Sequence, residues 1–340
     1  MDSNRLQPPF AGIPTFFRAP IGTAADLKQG DVAVIGAPFD GSNSLGRPGS
    51  RFGPRSVREA SCYYSAFYYS MPDRLIVDLD GGVELEIPDP LPLYDLGDAD
   101  TFPMDVSATT ESISNAVASV AARGAFPITI GGDHTVGFPA WKGATEGAIK
   151  HTGNRDIRVG VVQVDSHTDL FDDMEYGGRL NYGTFARRIS EHANASPAHM
   201  AWLGLNGRLV SREQYEFVRQ HKLLLVTARE LMLDDWEDRV DAVLRHVCEC
   251  DFVYVTVDID AVDASQAPGT TAAVFGGIDA SRFLRLMEKF AELPKLVGLD
   301  LCEVAPNLDP NGRTARLGAL ALVTFVGAKL FRTRALPDFE

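Results

Sequence analysis

The stretch IRVGVVQVDSHTDL, residues 157–170, decides how this chain folds. Its first half is a nearly unbroken apolar run rich in valine. A half-exposed strand would alternate apolar and polar residues, so a continuous run predicts a strand covered on both faces, as in a parallel sheet flanked by helices. The run ends in Asp165, His167 and Asp169, spaced two apart. If the strand stays extended through them, all three side chains project to one face.

Working outward, the same pattern recurs in DVAVIGAPFD (31–40), PITIGGDH (127–134), MAWLGLN (200–206), KLLLVTARE (222–230), FVYVTVDID (252–260) and KLVGLDLCEVAP (295–306), each read as a buried strand. Helical patterns fall at 54–66, opened by Pro54, and at 105–123, 184–193, 211–220, 235–248, 279–292 and 314–333. This alternation predicts an α/β fold whose parallel sheet carries helices on both faces, with its active site at the carboxyl ends of the strands. No linker, low-complexity tract or repeat interrupts the pattern. We read residues 1–30 as an N-terminal extension and 31–340 as a single domain.

With 45% hydrophobic residues among 340, the chain can bury one large core. Its net charge of −14 disfavours a nucleic-acid partner, which needs clustered Lys and Arg. A cationic substrate would be drawn to that field, although solubility alone also explains it. The start, MDSNRLQPPFAGIP, has no basic segment leading into an apolar one, and nowhere do about 18 apolar residues run together. A cytoplasmic protein with no membrane partner is expected. Cys62, Cys248, Cys250 and Cys302 do not form the paired C-x-x-C spacing of a structural zinc site or suggest a disulfide frame.

The chemistry lies at the strand ends. FVYVTVDID ends in Asp258 and Asp260, and ITIGGDHT supplies His134 after Gly131 and Gly132, read as letting the backbone turn sharply. A single Asp at such a place is ordinarily a cap or turn former, and Asp133 is left with that role. The set together is different, because a bare carboxylate following an apolar strand is expensive to bury without a cation or a donor. Four aspartates and two neutral imidazoles are balanced by two divalent ions. Ligands of this kind suit Mn²⁺ first and tolerate Ni²⁺, Co²⁺ or Zn²⁺.

Three motifs, GGDH at 131–134, DSHTD at 165–169 and TVDIDAVDASQAPGT at 256–270, occur in the order found in ureohydrolases, and the chain resembles the agmatinase-like branch of that arginase/agmatinase family. VIGAPFD (34–40), GRPGSRFGPRSVREAS (46–61) and DLCEVAP (300–306) extend the resemblance. It implies a three-layer α/β/α sandwich around an eight-stranded parallel sheet, assembled as trimers or hexamers, with a hetero-oligomer as the variant. It also implies two metals, one held by His134, Asp165, Asp169 and Asp258, the other by Asp165, His167, Asp258 and Asp260. The implied reaction is hydrolysis of a guanidino C–N bond to urea and an amine. Glu303 would then bind the guanidinium, Asp260 would take the proton of the attacking water, and Asp263 would tie down the ligand loop.

The chain also departs from the family pattern. Tyr182, in LNYGTFARR, stands where agmatinase-like members carry a His that shuttles protons. A phenol, with a pKa of about 10 against about 6.5 for imidazole, is the poorer shuttle but can donate a hydrogen bond or stack on a planar cation. Ser166 replaces Ala, a mild change beside the ligands; Ala264 replaces Pro; and GTTAAVFGG at 269–277 lacks the usual G-T-G-T-P-E. These departures point to a small or unusual guanidine: guanidine itself, a biguanide or a guanidino acid. The alternative is a non-catalytic or regulatory subunit of a hetero-oligomer. A related deacetylase-like site would need tandem histidines, and no two histidines are adjacent.

Overall fold

A computed structural model describes residues 8–41, 46–175 and 177–336. Residues 1–7 and 337–340, which belong to the extension and the domain end read above, lie outside the described residues. Eight strands form one all-parallel sheet: β1 (Val32–Ala37), β4 (Leu93–Asp98), β5 (Phe126–Gly131), β6 (Val159–Val164), β7 (Ala195–Leu205), β8 (Leu224–Thr227), β9 (Phe252–Asp258) and β10 (Leu296–Cys302). Their order is β4-β1-β5-β10-β9-β6-β7-β8. A second, antiparallel sheet joins β2 (Leu75–Asp78), β3 (Val83–Glu86) and β11 (Arg332–Ala335).

Successive strand side chains point to opposite faces, so each strand feeds two cores. On β1, Val32 and Val34 belong to the core shared with α1 (Gly53–Tyr69), α6 (Trp236–Val247), α7 (Ala280–Ala291) and α8 (Arg313–Leu330). Ala33, Ile35 and Ala37 belong to the opposite core, shared with α2 (Val106–Ala121), α3 (Gly137–Thr152), α4 (Phe185–Ser190) and α5 (Arg212–His221). Helices, sheet and helices make the three-layer α/β/α sandwich that the resemblance implied. Phe16 and Phe17, within the stretch read as an extension, are fully buried in the first of these cores.

The structure adds elements to the sequence reading and shortens others. β4, an edge strand reading LYDLGD, has too little apolar character to announce itself, and α3 carries three glycines that imitate a loop. Those glycines let α2 and α3 approach closely: a Cβ at Gly143 would lie 2.4 Å from the Ser114 carbonyl oxygen, and one at Gly147 would lie 2.4 Å from Ala121 Cβ. The last helix stops at Leu330, and the chain turns into β11. Among the described residues no helix is long and apolar enough to cross a membrane.

The four motif-bearing strands, β5, β10, β9 and β6, are consecutive in the sheet. β9 and β10 enter last and fill the gap between a first half built on β1, β4 and β5 and a second built on β6, β7 and β8. The four strand ends are brought level: Leu301 pairs with Ile130, Cys302 with Asp258, and Val164 with Val257. That crevice is where α/β sheets bind ligands.

Gly131 and Gly132 do not serve the purpose expected of them. Neither has a positive φ. Instead there is no space for a side chain: a Cβ would lie 2.4 Å from Cys302 Sγ at Gly131 and 1.8 Å from the Phe39 carbonyl oxygen at Gly132. Gly132→Ala is expected to force the β1 and β5 ends apart and cost about 1–3 kcal/mol. Its denaturation midpoint should fall accordingly, and an unchanged midpoint would contradict the close packing.

Candidate metal centre

The aspartate and histidine side chains converge, though not by strand alternation. β6 ends at Val164, and residues 165–169 form an irregular loop in which Asp165 Oδ1 accepts the His167 N–H at 2.6 Å. Asp169 lies beyond it with φ +49°. β9 ends at Asp258, whose Oδ1 accepts the Asp260 N–H at 2.8 Å and caps a 3-10 turn, Ile259–Ala261. The expectation of extended strands is thus corrected: local side-chain-to-backbone turns aim the carboxylates.

His134 opens a 3-10 turn, His134–Val136, whose N-cap is Asp133; the Asp133 side chain accepts the Thr135 N–H at 3.1 Å. Around His134 Nδ1 stand Asp165 Oδ2 at 3.2 Å, Asp258 Oδ2 at 3.2 Å and Asp169 Oδ2 at 3.4 Å. Around His167 Nδ1 stand Asp260 Oδ2 at 3.1 Å and Asp165 Oδ1 at 3.5 Å. Asp165 therefore turns one oxygen to each imidazole. All six residues named from the sequence lie in one cluster, buried except for the partly open His167.

A chain of hydrogen bonds fixes the His134 ring. Tyr254 donates to Asp300 Oδ2 at 2.7 Å and Thr256 to Asp300 Oδ1 at 2.8 Å. With its proton committed to Asp300, the Thr256 hydroxyl accepts from His134 Nε2, also at 2.8 Å. The lone pair is then left on Nδ1. Buried Nδ1 has no hydrogen-bond partner, although three carboxylate oxygens face it. A neutral nitrogen acceptor surrounded by carboxylate oxygens suits a cation at their centre, and a proton bound at its other nitrogen is what a metal-binding His requires. Nitrogen and oxygen donors without thiolate suit Mn²⁺-type ions.

The carboxylates favour positive charge at this place: burial disfavours a charged His134 ring, but Asp165, Asp169 and Asp258 outweigh it and raise the imidazole well above its ordinary value, so a proton competes with a metal ion for Nδ1. Burial, then the Asp165 charge, raises the Asp169 carboxyl to about 7. Burial opposes ionisation of Asp165 as well, but the adjoining His134 and His167 outweigh it and hold that carboxyl low. Carboxylates this crowded share their charge comfortably only around cations.

Glu303, carried by the end of β10, accepts the His134 N–H at 2.9 Å through Oε1 and the Ser50 hydroxyl at 3.3 Å through Oε2. Its backbone is strained, with φ +67°, and its N–H is held by the Gly132 carbonyl at 2.8 Å. Burial, followed by the neighbouring Asp133, raises its carboxyl to about 8. Glu303, Tyr182 and the two histidines line a cavity of about 260 Å³, together with Phe171, Met174, Leu209 and Gln214. Burial, then the charges of Glu303, Asp133 and Asp169, raises the Tyr182 phenol above its ordinary value.

Ser166 matters more than its reading as a mild replacement suggested. Its N–H meets Asp260 Oδ1 at 3.2 Å and its hydroxyl meets the Asp260 carbonyl at 2.8 Å, so it joins the β6 and β9 loops. Asp263 stands outside the cavity and receives the N–H groups of Ser265 at 2.9 Å and Gly276 at 2.7 Å, which ties down that loop. Thr256 and Gln163 escaped the sequence reading, yet both left a signal. Each is a polar residue in a buried strand two positions before a candidate ligand, hence on the same face. Gln163 donates to Asp165 Oδ2 at 2.7 Å.

A model of the arginase family matches residues 30–327. Proclavaminate amidinohydrolase of Streptomyces clavuligerus is 31% identical over 96% of this chain and 95% of its own. The solved structure of that enzyme matches with a TM-score of 0.78 at 29% identity, over 95% of this chain and 99% of the other. Guanidinopropionase of Pseudomonas aeruginosa is 31% identical over 92% of this chain and 90% of its own. The fold is shared with formiminoglutamase of Trypanosoma cruzi, solved with Mn²⁺, at a TM-score of 0.74 and 23% identity over 92% of this chain and 96% of that one. The chain belongs to the arginase family and is a metal-dependent ureohydrolase.

Proposed function

We propose that this enzyme hydrolyses the C–N bond of a small guanidino compound to urea and an amine, using two divalent ions, Mn²⁺ first and Ni²⁺ next. The observation that carries the reading is the placement of Asp165, one oxygen toward His134 and the other toward His167. His134, Asp165, Asp169 and Asp258 would hold one ion, and Asp165, His167 and Asp260 the other, with Asp258 as a further shared ligand. Bound there, a metal pair supplies Lewis acidity that brings the pKa of water toward neutrality.

The protein's own groups do the rest. Glu303, whose raised carboxyl a bound guanidinium charge would draw back toward ionisation, receives guanidinium N–H groups in charge-assisted hydrogen bonds and holds the planar carbon in place. Asp260 Oδ2 takes the proton of the attacking water and returns it to the departing nitrogen, without which the amine is a poor leaving group. Phe171, Met174 and Leu209 make part of the cavity wall apolar. Tyr182 lies where a stacking surface or a donated hydrogen bond steadies the cation. Six converging side chains leave an inert subunit without support. We further propose that the enzyme works in the cytoplasm as a homo-oligomer, a trimer or hexamer.

Three measurements test this. Protein loaded with Mn²⁺ or Ni²⁺ should release urea from small guanidines faster than from agmatine. Agmatine as the best substrate by a wide margin would contradict the small-substrate reading, and no urea from any guanidine would overturn the reaction. Thr256→Val should leave His134 Nε2 unpartnered and weaken metal affinity about 10–100-fold at unchanged fold; unchanged affinity in a metal-buffered titration would remove the ring-fixing role. Tyr182→Phe should raise KM while kcat falls less than about tenfold. A kcat loss of roughly 100-fold or more would instead make the phenol a proton carrier.

A further inference from the structure

We infer that His199, His246 and Glu249 form a second, peripheral metal site that takes one zinc-type divalent ion and clasps the end of α6 to the start of β7. The inference is independent of the proposed reaction, because the site lies toward the amino ends of the strands and the catalytic cluster at their carboxyl ends. His199 precedes Met200, which pairs with Val161 on β6, and Glu249 comes just before β9, which runs from Phe252 to Asp258. The 7 residues of β9, at roughly 3.3 Å each, put the two places on the order of 20 Å apart.

The fold brings the three side chains together locally. His246 is on the last turn of α6, and the Glu249 N–H bonds the His246 carbonyl at 3.1 Å, so the helix end sets the two residues side by side. His199 comes from β7 and stacks on His246, with ring centroids 4.7 Å apart and planes 21° from parallel. Glu249 turns one oxygen to each ring: Oε2 lies 3.3 Å from His199 Nε2, and Oε1 lies 3.7 Å from His246 Nδ1. One ligand atom of each residue lies within 4.8 Å of the other two. Ligands about 2.0–2.1 Å from a tetrahedral ion stand roughly 3.3 Å from one another, so the spacing is already close to what an ion needs.

The far nitrogens of both rings have the partners that ligation requires. His246 Nε2 lies 2.8 Å from the Ala198 carbonyl oxygen. A carbonyl only accepts, so Nε2 carries the hydrogen and a neutral His246 keeps its lone pair on Nδ1, the atom that faces Glu249. His199 Nδ1 lies 2.6 Å from the buried Ser196 hydroxyl, which takes an N–H of Arg158 at 3.0 Å and has a second lone pair for the imidazole N–H. That proton placement leaves the His199 lone pair on Nε2, again facing Glu249. Two imidazoles and one carboxylate are a ligand set for Zn²⁺ with water in the fourth place, whereas the oxygen-rich catalytic cluster suits Mn²⁺. With the Glu249 side chain 64% exposed, the place is open to ions from solvent.

The test is Zn²⁺ binding to the full Mn²⁺-loaded protein, compared with His246→Ala and Glu249→Gln. Neither residue belongs to the catalytic cluster, so Mn²⁺ binding there should be the same in all three proteins. Zinc that displaces Mn²⁺ from that cluster does so equally in each and cancels in the comparison. Glu249→Gln keeps the shape of the side chain and guards against a helix end disturbed in His246→Ala. At Zn²⁺ just saturating the wild type, the wild type should hold one more zinc per chain than either variant, whose affinity at this place should be lower by about 100-fold or more. Zinc should also raise the unfolding midpoint of the wild type above its effect on the variants, since an ion bound only by the folded chain stabilises it. Anomalous diffraction at the zinc edge should give a peak between His199 Nε2, His246 Nδ1 and the Glu249 carboxylate. Equal zinc content in the three proteins, or no such peak in zinc-soaked crystals, would overturn the site and leave these contacts as ordinary hydrogen bonds. No readout depends on urea release, so failure of the proposed reaction leaves this result untouched.

Discussion

One imidazole lone pair, kept pointing at three carboxylates, is the constraint on which the catalytic end of the sheet depends. His134 Nδ1 faces Asp165, Asp169 and Asp258 because its other nitrogen is committed to Thr256, which is in turn committed to Asp300. The ring also lies against Phe185, with centroids 4.1 Å apart. Removing any step would free a buried polar group, at about 1–3 kcal/mol each, and release the ring. Because β5, β9 and β10 are neighbours, the chain of contacts from Asp300 to His134 crosses three adjacent strands, and the sheet's rigidity becomes the site's rigidity.

The same constraint explains why strain collects here. Asp169 and Glu303 both hold positive φ angles, which ordinary side chains avoid. Glu303 is held by its surroundings: its N–H by Gly132, and its carboxylate by the His134 N–H and Ser50. Gly132 has no room for a side chain against Phe39, so the β1 end supports the same turn. Segments far apart in the chain, near residues 39, 50, 132 and 303, thus fix one carboxylate before any substrate arrives.

Much of this was legible in the sequence, and the reasons are specific. β5, β6, β9 and β10 are covered on both faces, so their apolar runs stood out, and the aspartates after them were conspicuous because burial without a partner is unfavourable. The geometry joining them was not legible. Asx-type turns, not strand alternation, aim Asp165 and Asp258, and alternation suggested the right residues for the wrong reason. β4 was hidden by its edge position, and α3 by glycines that serve helix packing. Thr256 and Asp300 stand out in the sequence as polar residues in apolar strands, but what they hold is set by their neighbours across the sheet.

Tyr182, Phe171, Met174 and Leu209 belong to a different level of the structure. They line the same cavity as the ligand cluster without joining it, and such lining is where one fold can differ in what it serves. The central claim is that the cluster gathers two cations, and anomalous diffraction from Mn²⁺-loaded crystals tests it most directly. Two peaks about 3.5–4 Å apart, one beside His134 Nδ1 and one beside His167 Nδ1 with Asp165 between them, are predicted. A single peak, or peaks away from both imidazoles, would contradict it.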